Sequence, residues 1–126
     1  MLCHNVTPVV EDGEEGLQGS SPDEITLVNF GQSLGYKLEE RTEDYVRLKN
    51  PRGETEEYEI LNLFPFTSES KRMGIIVRDI AQDKIILYLK GADTIMEEKI
   101  SHLNSDFMME ACSDLAREGL RTLVIS

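Results

Sequence analysis

Across residues 36–90 the apolar side chains recur with a period of two, which narrows the fold more than any other feature of the chain. That period places alternate side chains on opposite faces of an extended strand, one face toward a core and the other toward water. The alternation predicts strands at 36–40, 45–49, 56–63, 73–78 and 85–90, separated by the turn signals Asn50-Pro51-Arg52-Gly53 and Asp79 to Asp83. The segment reads as an antiparallel meander.

On either side the period changes. Ser21, Pro22 and Glu24 fit a helix start, with Ser21 as N-cap, Pro22 at the first helical position and Glu24 completing a capping box. Ile25, Leu27, Val28, Phe30 and Leu34 then make an apolar stripe that Gly35 ends, predicting a helix over 21–34. A short helix is expected at 93–99 and a longer one at 105–118, where Ser105 caps a stripe of Phe107, Met108, Ala111, Cys112, Leu115 and Ala116 and Gly119 stops it. Arg121 to Ile125 reads as a last strand. The sum is an α+β fold, an antiparallel β-sheet flanked by helices. Residues 11–20, with four carboxylates and three glycines, read as a flexible solvated loop.

A chain of 126 residues fits one domain, taken as 1–126, and its 40% hydrophobic and 29% charged residues suit a globular protein. A formal charge of -11 opposes nucleic acid and anionic membrane surfaces, so neither is expected as a direct partner. An anionic ligand would need a local basic cluster, for which Lys71, Arg72, Arg78, Lys90 and Arg121 are the candidates. Cys3 and Cys112, beside His4 and His102, suggest neither a zinc site nor a disulfide framework. The longest apolar runs fall far short of the roughly 20 residues of a membrane helix. Gly31, Gly35 and Gly53 stand singly, so a phosphate-binding glycine loop between strand and helix is lacking.

Two segments combine residue types suited to a nucleotide. In Leu63-Phe64-Pro65-Phe66-Thr67-Ser68-Glu69-Ser70-Lys71-Arg72-Met73, two aromatics precede hydroxyls and two adjacent cations. That order offers a ring for stacking and donors a few Å beyond it. The same residues also fit a structural reading, with Phe64 and Phe66 as core and the cations solvated. In Leu87-Tyr88-Leu89-Lys90-Gly91-Ala92-Asp93, a lysine at a strand end is followed by two small residues that let a flat ligand approach the backbone, or that simply make a turn. Glu24 has its capping role already, and Arg121 alone is uninformative.

Taken in order, SSPDEITLV, LFPFTSESKRMGIIVR, LYLKGAD and LAREGLRTLVIS resemble the nucleotide-binding domain of the P-type ATPases, in the phospholipid-flippase branch. The opening Cys3-His4-Asn5-Val6-Thr7-Pro8 belongs to the match, which covers essentially the whole chain. The resemblance implies that Phe66 stacks on adenine, Glu24 faces the base, Lys71 and Lys90 hold the nucleotide, and Gly91 and Ala92 line the base pocket. Arg121 would approach the phosphates, and Thr67, Ser68 and Met73 would be further lining residues. It also implies ATP with Mg²⁺, and as partners the phosphorylation and actuator domains of the same full-length protein.

The family's phosphorylated aspartate lies in an Asp-Lys-Thr-Gly-Thr motif that this sequence lacks, so the chain is expected to be a piece of a larger membrane ATPase and inactive alone. Ser70 stands where many flippases carry arginine, and Gly74 where many carry serine. With the Cys-His-Asn-Val-Thr-Pro opening, these changes are similar to the subgroup on Golgi and endosomal membranes that works without an accessory subunit, which would place the domain on the cytosolic face. The alternative is a non-enzymatic acidic interaction module with Phe64 and Phe66 as core.

Overall fold

A computed structural model describes residues 1–100 and 102–126. Its strands are β1 (Thr7–Glu11), β2 (Glu14–Gln18), β3 (Lys37–Arg41), β4 (Tyr45–Lys49), β5 (Thr55–Phe64), β6 (Arg72–Asp79), β7 (Lys84–Gly91) and β8 (Val124–Ile125). Its helices are α1 (Pro22–Ser33), α2 (Asp93–Met96) and α3 (His102–Arg117), with a 3-10 turn at Glu97–Lys99. β1 and β2 form a two-stranded sheet, and β3 to β8 follow one another in sequence order in a six-stranded sheet. The pairs β3–β4, β4–β5 and β7–β8 are antiparallel. The fold is α+β, and each meander strand lies within one residue of its expected bounds. The chain forms two compact units, Met1–Asn62 with Ile76–Ile86 and Leu63–Ile75 with Leu87–Ser126.

The first unit has a core of Val6, Val28, Leu38, Val46, Leu48 and Val77. Residues 11–20 are not the loop expected from their charge. Asp12 and Gly13, at φ 51° and 85°, make a tight turn that joins β1 to β2 in register from Thr7↔Gln18 to Glu11↔Glu14. Positive φ at both turn residues is what a two-residue hairpin requires. Ser21 caps α1 by backbone position only, because its side chain makes no capping hydrogen bond. The expected capping box is therefore absent. The buried line of the helix is Glu24, Val28 and Gly31, which rotates Phe30 and Leu34 of the expected stripe out to water.

Between β3 and β4 the register slips at Leu38 and Glu40, leaving Glu39 as the extra residue of a bulge. Residues three apart on a regular strand face opposite ways. Across the bulge, Leu38 and Arg41 are both buried. Asn50 builds the β4–β5 turn by accepting the amides of Arg52 and Glu54 on Oδ1, each at 3.0 Å. Arg78, one of the five candidate cations, is taken up within this unit by Asp83, with Nε 2.8 Å from Oδ1.

The second unit is built on Met73, Ile75, Met96 and Cys112. The expected helix at 93–99 divides into α2 and the 3-10 turn. α3 begins before Ser105, so that residue lies inside the helix instead of capping it. The expected terminus near Gly119 holds, with the Leu120 amide donating to Leu115 O at 3.1 Å. The last strand is shorter than expected and leaves Arg121 outside it.

Candidate functional site

The sequence-predicted site residues, Glu24 apart, fall in the second unit. Their frame begins with the connection from β5 to β6. The Thr67 hydroxyl donates to Ser70 Oγ at 2.8 Å and accepts the Ser70 amide at 3.0 Å. The Lys71 amide closes the turn on Thr67 O at 2.8 Å, and Ser70 Oγ donates onward to Arg72 O at 3.2 Å. The Thr67 hydroxyl thus holds the turn itself together. Ser68 is exposed at the turn's tip. Lys71 sits at φ 48°, where a residue with a Cβ is held only by its surroundings.

Those surroundings come from the end of β7. The Ala92 amide donates to Lys71 O at 3.3 Å. A Cβ on Gly91 would stand 2.9 Å from both Lys71 O and Arg72 Cβ, so a glycine is needed for the two backbones to approach this closely. Segments 20 residues apart in sequence are locked together at this point. Lys90, one residue earlier, is only 6% exposed and pairs in register with Ile125 of β8. Met73 is buried and Arg121 is exposed just before β8.

The two aromatics differ from the structural reading of the sequence. Phe66 is 62% exposed and Phe64 is 46% exposed, so neither is core. The burial alternation of β5 shifts phase at Asn62, which brings Leu63 inward and Phe64 outward. The Phe64 ring then lies over Gly74, where a Cβ would be 3.3 Å from Phe64 Cδ2 and 2.8 Å from Leu89 Cδ2. A serine at this position would push both side chains, which gives the glycine a packing reason.

Glu24 belongs to the first unit, where it is 9% exposed and accepts the Asn5 amide on Oε2 at 3.2 Å. It lies among buried polar groups that the sequence pattern did not reveal. Arg41 is 8% exposed with Nη1 lacking a hydrogen-bond partner among the described residues, and burial holds its pKa below the usual value while Glu24 and Cys3 oppose that shift. His4 accepts the Val6 amide on Nδ1 at 3.0 Å and places Nε2 2.7 Å from Met1 O, so the neutral ring with its proton on Nε2 satisfies both contacts. Burial first, then the Arg41 cation, lower its pKa to about 4.

The second unit therefore offers an exposed aromatic ring, a strained lysine turn and a buried lysine at a sheet end lined by two small residues. The model of the P-type ATPase cytoplasmic domain N matches residues 1–126. The chain belongs to that family. Among relatives of the domain, "Probable phospholipid-transporting ATPase tat-5" of Caenorhabditis elegans is 47% identical over 129 residues, covering 99% of this chain and 12% of the relative. "Phospholipid-transporting ATPase NEO1" of Saccharomyces cerevisiae is 49% identical over 125 residues, covering 98% of this chain and 11% of the relative. "Probable phospholipid-transporting ATPase IIB" of Danio rerio is 44% identical over 145 residues, covering 99% and 13%. This domain N chain spans about one eighth of the length of such relatives. Among the described residues no helix is long and apolar enough to cross a membrane.

Proposed function

We propose that this domain binds ATP on its second unit and positions it for phosphoryl transfer to an aspartate elsewhere in a phospholipid-translocating P-type ATPase. The observation that carries the reading is the lock between Gly91-Ala92 and Lys71-Arg72, which sets two lysine-bearing segments together in the unit that presents Phe66. Phe66 offers its face to adenine, the Gly91-Ala92 backbone borders the base, and Lys71, Lys90 and Arg121 supply charge to the phosphates. Thr67, Ser68 and Met73 are further lining residues in this proposal. This donor set fits a nucleotide. Mg²⁺ would arrive with ATP, as the family resemblance implies.

Orientation and effective concentration are what such a domain contributes to transfer. The partners in this proposal are the phosphorylation and actuator domains of the same protein, on the cytosolic face of a Golgi or endosomal membrane. With one stacking ring and a few cations, ATP is expected to bind with a dissociation constant of roughly 0.1 to 1 mM. The chain alone is expected to release no phosphate above background.

Lys71→Gly separates the cation from the backbone, because glycine adopts φ near 48° without strain and keeps the turn. Titrations with ATP and adenosine should show ATP weakened by roughly three- to tenfold, the worth of one solvated charge-assisted contact, and adenosine unchanged. Equal weakening of both, or of neither, would remove Lys71 from the phosphate site.

A further inference from the structure

We propose that the groove between the β1–β2 hairpin, α1 and β3 of the first unit is a docking site for a basic peptide segment carrying aliphatic side chains. The groove has a volume of about 620 Å³. Val9, Leu17 and Ile25 give it apolar surface, and Glu15, Lys37 and Glu39 are its charged lining residues. Its polarity is one-sided for a reason visible in the chain: residues 1–36 contain Glu11, Asp12, Glu14, Glu15, Asp23 and Glu24 and no lysine or arginine. The hairpin wall is therefore acidic, whereas α1 lines the groove with the neutral Ile25, Asn29 and Gln32, and the hairpin repels an anionic ligand such as a nucleotide.

Lys37 from β3 sets its ammonium on Glu15, 2.8 Å from Oε1 and 2.7 Å from Oε2. That pair is exposed, so it contributes little and exchanges readily with an incoming ammonium. Glu39, pushed out by the β3 bulge, has no ion pair among the described residues and is open to a second cation. The apolar lining together with the two carboxylates suits a segment that carries both aliphatic side chains and lysines. A second copy of this chain, at a net charge of -11, is a poor occupant by the same electrostatic argument.

The test is an NMR titration of the full chain with the capped hexapeptide Lys-Leu-Lys-Val-Lys-Leu, beside hexalysine and the glutamate analogue of the same pattern. Saturable amide shifts are expected at Val9, Gly16, Leu17, Ile25 and Gln32, with a dissociation constant below about 1 mM, weaker effects from hexalysine and none from the glutamate peptide. Two variants complete it. Gly16→Ala adds a methyl group to the groove lining without strain, since a Cβ there makes only an ordinary 3.6 Å contact with Val9 Cγ2. Glu39→Lys reverses the free charge. Each should weaken the hexapeptide at least fivefold while the melting temperature holds. Equal binding of hexalysine would mean surface charge alone. No shifts, undiminished binding by both variants, or matching shifts on concentrating the chain by itself would each overturn the proposal. None of these readouts depends on ATP binding.

Discussion

Lowering the pH from 7 to 4 is expected to cost the folded chain about 3 kcal/mol through His4 alone. The folded pKa is about 4, against an ordinary value of 6.5. Between those values the unfolded chain binds the proton and the folded chain does not, so this contribution is fully present above pH 6.5 and is lost as pH falls toward 4. The cause is geometric. A second proton on the ring would meet the Val6 amide at Nδ1, replacing an acceptor with a donor, and would put a buried charge near Arg41 and the N-terminus. Glu24 and the Met1 carbonyl offset only part of this. Denaturant unfolding of the wild type and His4→Asn at pH 7, 5.5 and 4 checks it, because the amide oxygen of asparagine can accept from Val6 without titrating. The variant should lose about 3 kcal/mol less over this range. Parallel pH profiles would show that His4 does not carry the linkage.

Phe66→Ala is expected to weaken ATP binding by roughly fivefold to 150-fold and to leave the fold in place. Base–aromatic stacking contributes about 1 to 3 kcal/mol, which sets that range. The ring is 62% exposed, so its removal should change stability by no more than about 0.5 kcal/mol. Thermal melts and ATP titrations of the same sample separate the two effects. A variant that unfolds would return Phe66 to the core, and a folded variant with unchanged affinity would remove stacking from the account.

The meander was legible because its strands are half-buried, and water on one face imposes the alternation that the sequence displays. The β1–β2 hairpin escaped notice for the opposite reason. Its residues are largely acidic, and the Asp12-Gly13 pair, a strong hairpin signal, sat inside a segment whose charge suggested a loop. Glu24 met the spacing of a capping box, yet burial turned its carboxylate to the Asn5 amide. No pattern rule foresees the bulge at Glu39 that takes Arg41 into the interior, since one extra residue reverses every facing beyond it. In the candidate site the residue types were readable and their juxtaposition was not. The contact between Gly91 and Lys71 depends on tertiary pairing, and the use of the Thr67 hydroxyl within its own turn depends on local geometry.

Nucleotide binding by the second unit is the central claim, and backbone amide shifts of the isotope-labelled chain during an ATP titration test it most directly. The account predicts saturable changes at Phe66, Lys71, Lys90, Gly91 and Arg121, with a dissociation constant of roughly 0.1 to 1 mM. The absence of such changes up to about 10 mM ATP, ten times the weakest affinity proposed, would contradict it.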